Sequence, residues 1–84
     1  MAMLEITEEI KSMVAEITEL EPELLRPDAS LTREYQVDSL AALEIAVALE
    51  KRYGVSIAEE HLPRLDSIAG SVELVQELLA RKAS

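Results

Sequence analysis

At 84 residues the chain is the size of one small domain, and without cysteine it has no disulfide, no thiolate metal site and no thiol nucleophile of its own. Seventeen Asp and Glu against eight Lys and Arg give a net charge of −9, which argues against nucleic acid and anionic membranes, since both select basic surfaces. The same charge suits encounter with basic patches on other proteins, or simply keeps the domain soluble.

The apolar fraction of 49% is aliphatic apart from Tyr35 and Tyr53, so a compliant core with a net stability of about 3–5 kcal/mol is expected. Residues 1–5 lack a basic segment followed by an apolar run, and no stretch has the apolar length of a membrane span. A cytoplasmic protein without a signal peptide is expected.

Thr7-Glu8-Glu9 reads as a cap followed by acids, opening a first helix to about Thr18 with Ile10, Met13, Val14 and Ile17 as its buried stripe. From Leu20 to Val37, Pro22 and Pro27 interrupt any period. This reads as a long ordered loop pinned by Leu24, Leu25 and Leu31, with a short turn at residues 23–25. Asp38 then has the short, oxygen-bearing side chain of an N-cap, which makes Ser39 the first residue of a second helix running to Tyr53. Its inner face is predicted as Leu43, Ala46, Leu49 and Tyr53, with Leu40 and Val47 toward the flank, while Lys51, Arg52 and Gly54 mark its end.

Val55 and Ile57 are expected as extended core anchors, and residues 59–62 as at most a short helix before Pro63. Asp66 or Ser67 caps a last helix whose stripe is Ile68, Val72, Val75, Leu78 and Leu79, with Gly70 inside it. The predicted fold class is all-α, a small four-helix bundle of three main helices and one short helix with a long first loop, in a single domain over 1–84. A monomer is expected, because no second sustained apolar face is present.

No catalytic constellation is visible. His61 is the only histidine and lacks a positioned partner, the carboxylates fall at the spacing of solvated helix faces, and there is neither a Gly-rich phosphate loop nor a metal-ligand spacing. The chain is therefore not expected to be an enzyme. What stands out is Ser39, whose hydroxyl lies at the positive end of a helix, where exposed N–H groups and the dipole favour a phosphate ester.

The run PDASLTREYQVDSLAALEIAVALEKRYGVSI, residues 27–57, resembles the acyl carrier protein family, and the resemblance continues to the last helix. It implies that Ser39 of Asp38-Ser39-Leu40 is joined by a phosphodiester to 4′-phosphopantetheine, taken from coenzyme A by a phosphopantetheinyl transferase, with Asp38 as cap and acidic contact. It also implies a recognition helix after the serine. Glu44 and Glu50 match acidic positions there, Val47 takes the exposed apolar place between them, and Glu59 and Glu60 match the acidic start of the short third helix. These would meet basic patches on an acyltransferase, a ketosynthase, an acyl-activating ligase and other pathway enzymes.

Three positions depart from the family pattern. Gln36 stands where glycine is usual, so no glycine-only backbone is expected there; Ala41 and Lys51 stand where acids are common. The departures point away from standard fatty-acid synthase enzymes. The expected function is a free-standing acyl carrier in polyketide or other specialised synthesis, otherwise fatty acid synthesis, with an aminoacyl or peptidyl carrier and an unmodified interaction domain as alternatives. Ala42, Ala46 and Ala48 either leave room for an acyl tail along the second helix or serve as good helix formers.

Overall fold

A computed structural model describes residues 3–83. In chain order it has α1 (Met3–Thr18), a 3₁₀ turn (Pro22–Leu24), the single-turn α2 (Leu31–Glu34), α3 (Ala41–Tyr53), a 3₁₀ segment (Glu59–Asp66) and α4 (Ile68–Ala83). The architecture is all-α, with no strand among the described residues. The long α1 packs on α3 and α4, and the 3₁₀ segment closes against α3 and α4. No helix among the described residues is long and apolar enough to cross a membrane.

The first helix is already under way at Met3, so Thr7 is not its cap. The reason is Ile6, one turn before Ile10: Ile6, Ile10 and Val14 form a fully buried row, and Met13 and Ile17 pack beside it half-buried. Burying one more isoleucine outweighs the capping preference of a threonine. Past Thr18 the helix ends with Glu19 in the left-handed region (φ 59°), and the N–H of Leu20 donates back to the Ala15 carbonyl at 3.1 Å.

The loop that follows is ordered by polar anchors that pattern alone does not show. Leu25, Ala29 and Leu31 are buried, but the Leu24 side chain is 59% exposed, against expectation. It is the Leu24 carbonyl that serves, accepting from the Tyr35 hydroxyl at 2.7 Å while that oxygen accepts from the Arg26 N–H at 2.9 Å. Asp66 holds the other end, accepting from the Ser30 hydroxyl and, at 3.0 Å, from the Thr32 N–H. Burial works against its charge, but the hydrogen bonds from Ser30 and Thr32, with Arg33 nearby, outweigh it and hold its carboxyl below the usual value.

Asp66 is thereby spent on the loop, and Ser67 caps α4, its Oγ accepting from the Gly70 N–H at 2.9 Å. The short helix before it also runs further than expected, through Pro63 to Asp66. It forgoes one bond at the proline and continues because Leu65, beyond it, is fully buried. In α4, Leu74 joins Ile68, Val72 and Val75 in the core, while Leu78 and Leu79 pack half-buried at its margin.

The backbone also corrects the expectation for Gln36, which adopts φ 54°, a conformation that disfavours any side chain. Glycine relieves that strain, worth about 1–2 kcal/mol, and returns part of it as unfolded-chain entropy. Gln36→Gly and Glu19→Gly are each expected to raise the unfolding free energy by about 0.5–1 kcal/mol, read as a shifted urea midpoint with an unchanged slope. A loss of stability in both would contradict the left-handed assignment.

One polar network ties α1 to α3. Glu9 accepts from the Tyr53 hydroxyl at 2.7 Å and from Arg52 at 3.0 Å, which hold its carboxyl below the usual value. Burial, then the Glu9 hydrogen bond, pushes the buried Tyr53 phenol up to about 12. The neutral phenol is thus favoured by the fold. Its contribution is complete below the unfolded value near 10 and is lost as pH rises toward 12, a decline on the order of 2 kcal/mol. Urea titrations between pH 9 and 11.5 should show this decline, and Tyr53→Phe should flatten it.

Candidate functional site

Asp38, Ser39 and Leu40 form a turn that leads into α3. The Asp38 Oδ1 accepts from the Leu40 N–H at 2.9 Å, a local side-chain turn, and the Asp38 carbonyl accepts from the Ala41 N–H at 2.9 Å. The regular helix therefore begins at Ala41, and Asp38 fixes the turn before it instead of capping its first residue. Ser39 sits at the apex, exposed, and among the described residues its hydroxyl has no hydrogen-bond partner.

The expected cradle of free N–H groups is not there. Leu40 donates to Asp38 Oδ1, Ala41 to the Asp38 carbonyl, Ala42 to the Ser39 carbonyl at 3.2 Å and Leu43 to the Leu40 carbonyl at 3.1 Å. The tight first turn consumes the donors that a bound anion would use. What remains is an exposed, unencumbered hydroxyl on a hydrogen-bonded turn beside a groove.

That groove, of about 370 Å³, lies between α3 and the 3₁₀ segment. Ser39 is at its rim, Ala42, Leu43, Leu62 and Pro63 give it apolar walls, and Thr32 and Asp66 border it. Of the three alanines, only Ala42 faces it; Ala46 is buried in the core and Ala48 lies on the α1 side. An exposed hydroxyl at the mouth of an apolar groove fits a long, flexible, covalently attached group bearing a hydrophobic load.

The other candidate residues are only partly brought together. Glu44 and Val47 lie exposed on α3, Val47 at 48%, and Glu59 and Glu60 are exposed at the start of the 3₁₀ segment. Glu50 differs: it is half-buried, and its Oε2 accepts from the Ile57 N–H at 2.8 Å, so it tethers the chain after α3. The residue that pattern reading missed is Leu43. Placed inside by its spacing, it is 50% exposed and forms an outer stripe with Leu40, 63% exposed, and Val47. The i, i+3, i+7 spacing of these three was the available signal.

His61 is half-buried with Glu60 3.9 Å away, and among the described residues no cluster could hold a metal ion.

The sequence pattern described as "Phosphopantetheine attachment site" matches residues 8–75. The chain belongs to the acyl carrier protein family. Its prosthetic group is 4′-phosphopantetheine, covalently attached. The chain is similar to polyketide-8 synthase acyl carrier protein 2 of Streptomyces avermitilis, 40% identical over 72 residues that cover 86% of this chain and 83% of the other. The acyl carrier protein of Rhodococcus erythropolis is 37% identical over 79 residues, 94% of this chain and 87% of the other. The meromycolate extension acyl carrier protein of Mycobacterium tuberculosis is 36% identical over 74 residues, 88% and 64%. In fold the chain is similar to the solved acyl carrier protein from Enterococcus faecalis, with a TM-score of 0.76 at 15% identity over 93% of this chain and 99% of that one. As a family member it interacts with a phosphopantetheinyl transferase and with pathway enzymes.

Proposed function

We propose that the chain acts in the cytoplasm as a single, non-catalytic carrier domain with Ser39 as the attachment point, passing acyl intermediates between enzymes of polyketide or related specialised synthesis. The observation that carries this is the exposed, unpartnered Ser39 hydroxyl on a turn fixed by Asp38. When bound, 4′-phosphopantetheine supplies a terminal thiol that holds acyl groups as thioesters.

The chain's own residues do the rest. Asp38 keeps the hydroxyl turned outward for the transferase. Ala42, Leu43, Leu62 and Pro63 offer an apolar resting place beside the attachment point. Glu44, Glu59 and Glu60, with Val47 and Leu43, present charge around small apolar contacts, which supports rapid, exchangeable docking on basic surfaces. Tethering keeps each substrate at high effective concentration near the successive active sites. The polyketide assignment draws support from the relative in Streptomyces avermitilis.

Incubation with coenzyme A and a broad-specificity phosphopantetheinyl transferase is expected to add the mass of one phosphopantetheine, and Ser39→Ala, an exposed change that leaves the fold intact, is expected to add none. An unmodified wild-type chain, with a known carrier modified in parallel, would overturn the assignment.

A further inference from the structure

Beneath the groove at Ser39 lies a second, much smaller void. It holds about 20 Å³, room for about one water molecule, and Leu31, Val37, Ile45 and Leu65 of the core line it. The two spaces share Thr32, Ser39, Ala42 and Asp66, so the groove leads from the attachment point toward the core, and these residues mark the passage between them.

A polar tie closes that passage. Asp66, at the end of the 3₁₀ segment, accepts from the Ser30 hydroxyl and, at 3.0 Å, from the Thr32 N–H. Ser30 Oγ in turn accepts from the Arg33 N–H at 3.3 Å, so the carboxylate grips the first turn of α2. That single turn packs extensively on no other helix, and the loop before it is held at its base, where the Pro27 carbonyl accepts from the Ala69 N–H at 2.8 Å. The loop is thus hinged at Pro27 and fastened at Asp66, the arrangement of a segment that can open locally. An apolar tail pushed past this point would strip water from a half-buried carboxylate, a penalty that Ala42, Leu43, Leu62 and Pro63 in the outer groove do not impose.

We infer that Asp66 is a specificity-determining latch, which bars the acyl end of the tethered arm from the core void and keeps it in the outer groove. Long saturated chains then gain little from their extra length, because the part that would be buried stays outside. The occupant rests on the carrier reading above; the closure rests on hydrogen bonds of the bare chain and is tested without attachment.

The test adds the S-octanoyl thioester of N-acetylcysteamine, a free mimic of the loaded tip of the arm, to the unmodified chain labelled at its Ala, Ile and Leu methyls, and follows NMR shifts. In the wild type, shifts are expected at Ala42, Leu43 and Leu62 and not at Leu31, Ile45 and Leu65. Asp66→Ala and, separately, Ser30→Ala should carry the shifts to the inner residues and tighten binding at least about fivefold, since the open form no longer has to be prised from the closed one. Asp66→Asn, whose amide can still accept from the Thr32 N–H and donate to Ser30 Oγ, should keep the wild-type pattern. Circular dichroism checks the fold of each variant; where Asp66→Ala unfolds, Ser30→Ala and the wild-type pattern decide. Wild-type shifts at the inner residues, an unchanged pattern in a folded alanine variant, or no shifts at the outer residues would each overturn the inference. A chain that gains no phosphopantetheine on Ser39 would instead overturn the carrier reading, because the added thioester is not attached to the protein.

Discussion

Gly70→Ala is expected to destabilise the chain by about 3 kcal/mol, although the same change in an exposed helix interior should stabilise by about 1 kcal/mol. A Cβ at this position would lie 2.2 Å from the Arg64 carbonyl oxygen and 3.0 Å from Ser67 Oγ. The first is backbone and cannot rotate away. The end of the 3₁₀ segment must move instead, taking with it Leu65, which is fully buried, and the Ser67 oxygen that caps α4 through the Gly70 N–H. The change therefore combines overpacking with loss of a cap, costing about 1–3 and about 1 kcal/mol respectively. In a domain of this size that removes most of the net stability. Urea unfolding followed by circular dichroism reads the effect directly, and Ala80→Gly, at an exposed position of the same helix, should cost only about 1 kcal/mol. A more stable Gly70→Ala protein would show that the close approach of Arg64 does not exist.

The second large effect concerns which side of α3 faces inward. Ile45 is 1% exposed and packs in the core, so Ile45→Ala is expected to cost about 3 kcal/mol through lost burial and the cavity left behind. Leu43 is half-exposed on the opposite side, about 200° away around the helix, and Leu43→Ala should cost less than about 1 kcal/mol. The pair gives an internal comparison: the two changes remove the same number of side-chain carbons from opposite sides of one turn of the helix. Equal costs, or a larger cost at Leu43, would mean that α3 is rotated from the orientation described.

The same pair shows where sequence reasoning stopped. Ala46, Leu49 and Tyr53 were legible as the inner face, and they are buried. Leu43 was added to them because its spacing fits, and Ile45 was missed although it fits equally well. Apolar residues lie on two sides of this helix, Ile45 with Leu49 and Leu40 with Leu43 and Val47, and periodicity cannot rank two acceptable stripes. Packing against α1 decides between them, and the stripe left outside lies along the groove and face beside Ser39.

Features set by neighbouring residues were legible from the chain alone. The αL conformation of Gly54 ends α3, at φ 64° and ψ 40°, because a helix terminus followed by glycine needs nothing distant to form. The turn at Asp38 likewise depends on a side chain reaching two residues along. Charge, the absence of thiols and the exposed serine follow from composition and motif. Other features required the fold, because their partners come from far along the chain. Asp66 reads as a helix cap until Ser30, 36 residues earlier, is brought to it; Ser67 then takes the cap. Glu50 reads as a solvent-facing acid until the chain folds back and offers the Ile57 N–H. Helix existence and helix ends are local free-energy choices, made by caps, prolines and glycines within a few residues. Which face is buried, and which carboxylate remains free to meet a partner, depends on desolvation and hydrogen bonding by segments that only tertiary structure brings together.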